Sequence, residues 1–210
     1  VQHMDMNGNS ELTVPQNTLG AELRQLENKQ WEQITLPHTP FVEPLTVLHQ
    51  WQGICYYKKK ITITPEEAKK HIWIEFEGAM HLADVWINGK HVMQHAGGYT
   101  PFVVDATGLL KTGKENELLV RLDNRNNSLI PPGKPLETLD FCYYGGIYRN
   151  VHLIAKADVH ITHPILDGHP AGAGIFITYP KVSQELSVVD AKTEIKNTSD
   201  KEKVVELRHT

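Results

Sequence analysis

The chain has 210 residues, of which 40% are hydrophobic and 22% are charged, a composition that is ordinary for a globular protein. Its formal net charge of -4 gives no electrostatic case for binding nucleic acid or an anionic membrane surface, so we expect neither partner. No apolar run approaches the roughly 18 residues that a membrane-spanning helix needs. The sequence leaves the compartment open: the protein could be cytoplasmic, periplasmic or secreted.

Short extended segments follow one another from residue 31 onward. Residues 31–38 are predicted to form a strand that Pro37 stops, because proline cannot donate a hydrogen bond to a neighbouring strand. Residues 54–64 are rich in β-branched side chains and end at a proline, which also indicates a strand. Residues 71–77 alternate with a period of two, as a strand with one buried face does.

Asn88-Gly89 lies between two further extended runs and predicts a β-hairpin. Both residue types tolerate the positive φ angles that a type I′ turn requires. Other strands are predicted at residues 103–105, 118–122, 147–154 and 158–163. Strands recur about every ten to fifteen residues and no long helical face appears, so the sequence predicts an all-β antiparallel sandwich or jelly roll.

The residue pattern of the sequence changes after Pro164. A connector of small residues is followed by three further predicted strands, at residues 175–179, 185–196 and 203–208. A sandwich usually needs about seven strands, so we expect the sequence to stop inside a second β domain. The predicted division is a poorly patterned segment at 1–30, a jelly-roll domain at 31–164 and an incomplete sandwich at 165–210.

The loop at residues 140–151 is the most distinctive stretch, since it joins an acid, four aromatic side chains and a glycine pair. Loops so rich in aromatic surface usually contact something. Gly145-Gly146 allows a sharp turn at positive φ before the chain becomes extended again at Ile147. We expect Asp140 to face a ligand; the alternative is that its carboxylate caps the turn by accepting bonds from nearby N–H groups.

Catalytic and metal sites find little support in the residue pattern. Glu75 and Glu77 share one face of a predicted strand, which we interpret as a solvated face rather than a catalytic pair. His160 and His163 are three residues apart, so on a strand they would point to opposite faces, and no zinc spacing joins them to cysteine or carboxylate. We therefore predict no catalytic residue, no metal ligand and no cofactor in this chain.

Eight short blocks resemble one known family when they are taken together. They are Trp31…Leu36-Pro37-His38, Gly53-Ile54-Cys55-Tyr56-Tyr57, Phe76-Glu77-Gly78, Val85-Trp86-Ile87-Asn88-Gly89, Gly97-Gly98-Tyr99-Thr100-Pro101-Phe102, Asn116-Glu117-Leu118-Leu119-Val120, Pro131-Pro132-Gly133 and Gly145-Gly146-Ile147-Tyr148-Arg149. Over roughly residues 31–160 the chain resembles the amino-terminal sugar-binding domain of glycoside hydrolase family 2, the β-galactosidase and β-glucuronidase family. The resemblance implies a galactose-binding-like jelly roll, then an immunoglobulin-like sandwich, then a (β/α)₈ barrel with two catalytic glutamates.

The resemblance also implies a role for Asp140. In β-galactosidase members, an aspartate ahead of the Gly-Ile-aromatic-Arg block reaches into the barrel's active site and binds sugar hydroxyls. The matching position here is Asp140, which precedes Arg149 by nine residues. Residues 165–210 would begin the immunoglobulin-like sandwich, and the barrel is not among these residues.

Further sugar contacts are expected on both sides of the 140–151 loop. Some β-galactosidases place an asparagine just before the Gly-x-Cys-Tyr block, where this chain has His49-Gln50-Trp51-Gln52. Trp51 or Gln52 would then take the place of that asparagine. Tyr143 and Tyr144 would stack on a sugar ring, the alternative being that they pack in the core or at an interface.

The expected function is the amino-terminal part of a retaining glycoside hydrolase, most similar to a β-galactosidase, which is inactive without its barrel. The expected partners are a carbohydrate substrate, the protein's own barrel domain and, through exposed strand edges, a second copy in a homo-oligomer. The alternatives are a stand-alone carbohydrate-binding module, a purely structural scaffold domain, or another family member such as a β-glucuronidase or a β-mannosidase.

Overall fold

The structure is a computed structural model that describes residues 2–4, 26, 31–42, 50–168 and 174–209. Its strands in these ranges are β1 (Gln2–Met4), β2 (Ile54–Ile61), β3 (His71–Phe76), β4 (Leu82–Ile87), β5 (Lys90–Ala96), β6 (Phe102–Asp105), β7 (Asn116–Asp123), β8 (Val151–Lys156), β9 (Val159–Ile161), β10 (Ile175–Val182), β11 (Ser187–Thr193) and β12 (Ile195–Asn197). Two short 3₁₀ helices lie at Glu67–Lys69 and Leu136–Thr138. The predicted all-β class is confirmed. Within the described ranges, no helix has the length and apolar character needed to cross a bilayer.

Two antiparallel sheets face each other around one apolar core. The larger sheet has the strand order β1-β2-β7-β4-β5 and the smaller has the order β6-β3-β8. Strand alternation sends every second side chain between the sheets, where removal of apolar surface from water stabilises the fold. Members of this core from both sheets are Tyr57, Ile74, Phe76, Val85, Val120 and Leu122.

The predicted hairpin between β4 and β5 is confirmed. Asn88 has a φ of 51° and Gly89 a φ of 79°, the positive pair that a type I′ turn requires. The Asn88 side chain also donates to the Asn116 side-chain oxygen at 2.9 Å, which ties the turn to the start of β7. Local turn chemistry therefore fixes this connection.

The outer face of the larger sheet carries a buried charge cluster, which we define as Asp84, Arg121, Asp123 and Arg125. Arg121 is 1% exposed, and its guanidinium lies 3.6 Å from the Asp84 carboxylate and 3.5 Å from that of Asp123. Arg125 donates two hydrogen bonds to the Asp123 carboxylate, from Nε to Oδ1 at 2.9 Å and from Nη2 to Oδ2 at 2.7 Å. Asp84 and Arg121 are direct cross-strand partners on β4 and β7, so strand pairing itself brings opposite charges together.

One predicted strand is absent from the structure, and another begins later than predicted. Residues 31–42 form no strand, although Ile34 and Leu36 still pack against the core. The predicted strand at 147–154 begins at Val151 instead; ahead of it, Gly146 has a positive φ of 98° and makes an isolated bridge to Met80. Both differences arise where a proline or a glycine controls the backbone.

The chain beyond residue 158 forms two small sheets, in which β9 pairs with β12 and β10 pairs with β11. The predicted strand at 175–179 is present as β10, whereas the predicted strand at 185–196 is divided into β11 and β12, which pair with different strands. Residues 203–208 are described and contain no strand, so that prediction is wrong. Apolar side chains stand in solvent on β10, with Ile175 59% exposed and Tyr179 62% exposed. Whether the domain boundary falls at residue 165 stays a prediction.

Aromatic rings join this part of the chain to the smaller sheet of the sandwich. The His160 and His163 rings lie 5.3 and 5.5 Å from the Trp73 ring, both edge to face. The expectation that these two histidines point to opposite faces is therefore wrong, because β9 ends at Ile161 and only His160 belongs to it. No group of three or more histidine, cysteine or acidic side chains that could hold a metal ion occurs among the residues described.

Candidate functional site

The 140–151 loop leaves the 3₁₀ helix Leu136–Thr138 and enters the core at Ile147, which is 3% exposed. Asp140 is exposed, and no described residue forms a hydrogen bond or an ion pair with its carboxylate. Within the described ranges, the carboxylate therefore caps no turn. Its acceptor positions face solvent, where a ligand could reach them.

Tyr143 lies three residues further along and points inward. It is 4% exposed, and its hydroxyl is hydrogen-bonded to Nδ1 of His81, itself 1% exposed. Burial lowers the pKa of His81 from 6.5 to about 4, against the opposing effect of the Asp123 carboxylate, because the charged imidazolium loses its hydration inside the protein. Burial likewise raises the pKa of Tyr143. Both groups are therefore neutral near pH 7, and their hydrogen bond attaches the loop to the residue that directly precedes β4.

His81 makes the stability of the protein dependent on pH. Its pKa is 6.5 in the unfolded chain and about 4 in the folded protein. At pH values between 4 and 6.5, His81 is therefore mostly protonated in the unfolded state and mostly neutral in the folded state. Stability is full above pH 6.5 and falls as the pH drops toward 4, by about 3 kcal/mol in total. Urea unfolding at about pH 7 and about pH 4.5 measures this loss.

The control for this prediction is His81→Asn, which keeps a polar group near Nδ1 but cannot take up a proton. Other histidines and carboxylates titrate in both proteins, so the difference between the two pH dependences isolates His81. We expect the variant to lose about 2 kcal/mol less than the wild type between the two pH values. Equal losses in both proteins would show that His81 does not titrate in this way.

Trp51 and Gln52 lie on a segment, residues 50–53, that runs beside the loop. The half-buried Trp51 ring stacks on Phe41 with centroids 5.4 Å apart. A Cβ atom at Gly145 would lie 3.2 Å from the Trp51 ring, so this ring and the loop touch. The Gln52 amide donates to the Asn124 carbonyl at 3.2 Å and to the Asn126 side-chain oxygen at 2.8 Å.

The 50–53 segment and the loop are also joined by direct hydrogen bonds. The Tyr143 backbone N–H donates to the Gln50 side-chain oxygen at 2.8 Å. The structure therefore brings Trp51 and Gln52 next to the loop that carries Asp140 and the half-buried Tyr144. Tyr143 lies in the core, the alternative considered for its ring, and is not open to a sugar. Sequence reasoning missed Gln50, because no pattern marks an amide whose partner lies 93 residues away.

Asn124 is the second residue that the sequence did not reveal. It is 1% exposed, accepts the Gly53 N–H at 2.8 Å and donates to the Trp51 carbonyl at 3.2 Å. Its position directly after β7 is the one available signal, since a buried asparagine at a strand end usually bonds to backbone groups. Asn124 thereby fixes the 50–53 segment to the sheet.

The fold and site define a class of protein before any comparison. A jelly-roll sandwich is an architecture that lectin domains use, and here one loop carries both an exposed carboxylate and aromatic side chains. The model of the sugar-binding domain of glycosyl hydrolases family 2 matches residues 5–157. The chain therefore belongs to glycoside hydrolase family 2.

Named relatives include enzymes with two different activities. A β-glucuronidase of Formosa agariphila is 32% identical over 190 residues, which cover 84% of this chain and 19% of that protein. A β-galactosidase of Thermoanaerobacter pseudethanolicus is 33% identical over 192 residues, which cover 89% of this chain and 26% of that protein. A crystal structure of Bacteroides uniformis β-glucuronidase aligns with a TM-score of 0.68 at 33% identity, over 80% of this chain and 19% of that one. The chain thus spans 19% to 26% of the length of these relatives.

Proposed function

We propose that this chain is the amino-terminal part of a retaining β-glycosidase and that Asp140 binds hydroxyls of the non-reducing sugar. The observation that carries the proposal is the exposed Asp140 carboxylate, at the motif position, without a hydrogen-bond partner among the described residues. An ionised carboxylate offers about four acceptor sites, which suits a ligand rich in hydroxyl donors. Hydrolysis itself is assigned to two glutamates of a barrel domain outside these residues.

The neighbouring side chains are proposed to complete the substrate-binding side of the site. The half-buried side chains of Trp51 and Tyr144 are proposed to offer their remaining exposed apolar surface to a sugar ring. Tyr143 and Gln52 are proposed to support these two side chains from behind. The Tyr143 hydroxyl bonds to His81, and the Gln52 amide bonds to Asn124 and Asn126. In this arrangement Asp140 supplies orientation and the rings supply contact area.

The sugar is proposed to be a β-galactoside, with a β-glucuronide as the second candidate. The β-galactosidase name of one relative supports the first, and the β-glucuronidase names of two others support the second, at similar identities of 32 to 34%. Hydrolysis of aryl β-galactoside and aryl β-glucuronide by the complete enzyme separates the two. The 210-residue chain by itself is expected to hydrolyse neither.

Asp140→Ala in the complete enzyme tests the site. We expect kcat/KM to fall by about a hundredfold or more, about 3 kcal/mol, because a charged hydrogen bond to a sugar hydroxyl is lost in the transition state. The matched control is Asp200→Ala, an exposed aspartate in the loop after β12. An unchanged kcat/KM for Asp140→Ala would favour a structural scaffold role and overturn the proposal.

A further inference from the structure

The position of the Asp140 carboxylate depends on the backbone of its loop. Its side chain has no hydrogen bond to a described residue that would hold it in place. On one side, the Leu139 N–H donates to the Leu136 carbonyl at 3.0 Å, which closes the 3₁₀ turn. On the other side, the Met80 N–H donates to the Gly146 carbonyl at 3.0 Å. Residues 140–145 span the distance between these two points.

Gln50 meets this span near its middle. Its side-chain oxygen accepts the Tyr143 N–H at 2.8 Å, a good length for a bond between amide groups. Tyr143 has a second contact through its side chain, since its hydroxyl is hydrogen-bonded to His81. Tyr143 is therefore fixed at both its backbone and its ring, three residues from Asp140.

Gln50 is itself held by the sheet through Asn124. Asn124 follows β7 directly and exchanges a pair of bonds with Gly53, at 2.8 Å through its side chain and at 3.2 Å through its N–H. Its amide nitrogen also donates to the Trp51 carbonyl at 3.2 Å. The 50–53 segment is thus attached to the rigid sheet, and Gln50 extends that attachment to the loop.

The neighbouring Gln52 bonds to a different part of the chain from Gln50. Its amide nitrogen donates to residues 124 and 126, and the Asn126 oxygen also accepts the Leu136 N–H at 2.9 Å. Gln52 therefore holds the chain that leads into the 3₁₀ helix, whereas Gln50 reaches the loop itself. The two glutamines can be distinguished by experiment.

From this chain of contacts we infer that Gln50 is a positioning residue, which sets the Asp140 carboxylate through the backbone of Tyr143. This inference rests on the proposed function for its consequence in activity, but its structural part stands on the hydrogen bonds alone. Displacement of a binding group by about 1 Å is enough to lower a rate by about a hundredfold. Gln50 does not need to touch the sugar to affect its hydrolysis.

Amide hydrogen exchange in the protein tests the structural part. Gln50→Leu removes the acceptor at nearly the same volume, so the Tyr143 amide should exchange about tenfold faster. Gln50→Glu retains an acceptor oxygen and should restore the protection. Gln33→Leu makes the same chemical change at an exposed glutamine and should leave the loop unchanged. Unchanged exchange in Gln50→Leu overturns the inference, and so does equal acceleration in β7, since that would report a loss of global stability.

A double-mutant cycle in the complete enzyme tests the consequence for activity. Gln50→Leu alone should lower kcat/KM by about ten- to a hundredfold, and should have almost no further effect when Asp140 is already alanine. Additive losses would mean that Gln50 acts independently of Asp140 and would overturn the inference. If Asp140→Ala alone has no effect, the proposed function fails, and hydrogen exchange still decides whether Gln50 holds the loop.

Discussion

Arg121→Met should lower the free energy of unfolding by about 3–5 kcal/mol, the cost typical of removing one partner from a buried ion pair. The substitution leaves the Asp84 carboxylate, 2% exposed, without the guanidinium that now lies 3.6 Å away. The contacts that remain for this carboxylate are the His91 ring at 3.0 Å and the Gln94 amide at 2.9 Å. Urea unfolding monitored by circular dichroism at neutral pH measures the loss.

Two further variants separate the burial of charge from the loss of packing. Adding Asp84→Asn to Arg121→Met removes the uncompensated carboxylate, so we expect the double variant to regain at least half of the lost stability. Lys60→Met breaks a pair with Glu115 at 2.8 Å in which both side chains are more than half exposed, and should leave the unfolding midpoint unchanged. A double variant no more stable than Arg121→Met alone would contradict the electrostatic explanation.

Gly146→Ala should destabilise the protein by about 4 kcal/mol, from about 1–3 kcal/mol of backbone strain and a similar cost of overpacking. Gly146 has a φ of +98°, a backbone conformation that residues with a side chain rarely adopt. An added Cβ would lie 2.5 Å from the Tyr57 hydroxyl and 2.6 Å from the His38 carbonyl. The His38 oxygen belongs to the backbone, so it cannot move aside without displacing the chain. Thermal and urea unfolding of the variant measure the effect.

Gly89→Ala supplies the matched control for that prediction. Gly89 also has a positive φ, +79°, but an added Cβ would meet nothing within 4 Å. Only the backbone strain applies there, so we expect a loss of about 1 kcal/mol. If both substitutions cost the same, the close packing around Gly146 contributes nothing and the explanation is wrong.

The sequence by itself determined the fold class and most of the strands. Period-two alternation predicts β3, and Asn88-Gly89 predicts the hairpin of β4 and β5, because both signals arise from the local geometry of the chain. The order of eight short blocks indicated glycoside hydrolase family 2, which the family model confirms. The sugar, the domain boundary near residue 165 and pairing with a second copy stay predictions.

Tertiary structure decided how the site is held together. Gln50 meets Tyr143, and Gly53 meets Asn124, across separations of 93 and 71 residues, and no local period records such contacts. In the sequence, nothing distinguishes Arg121 from an ordinary charged residue on a strand. Its role becomes visible only in the structure, where strand pairing places Asp84 opposite it. Patterns in a sequence report what each segment needs from its own neighbours, whereas the partners of buried polar groups are chosen when distant segments meet. The sequence therefore identified Asp140, and the fold revealed what keeps its loop in place.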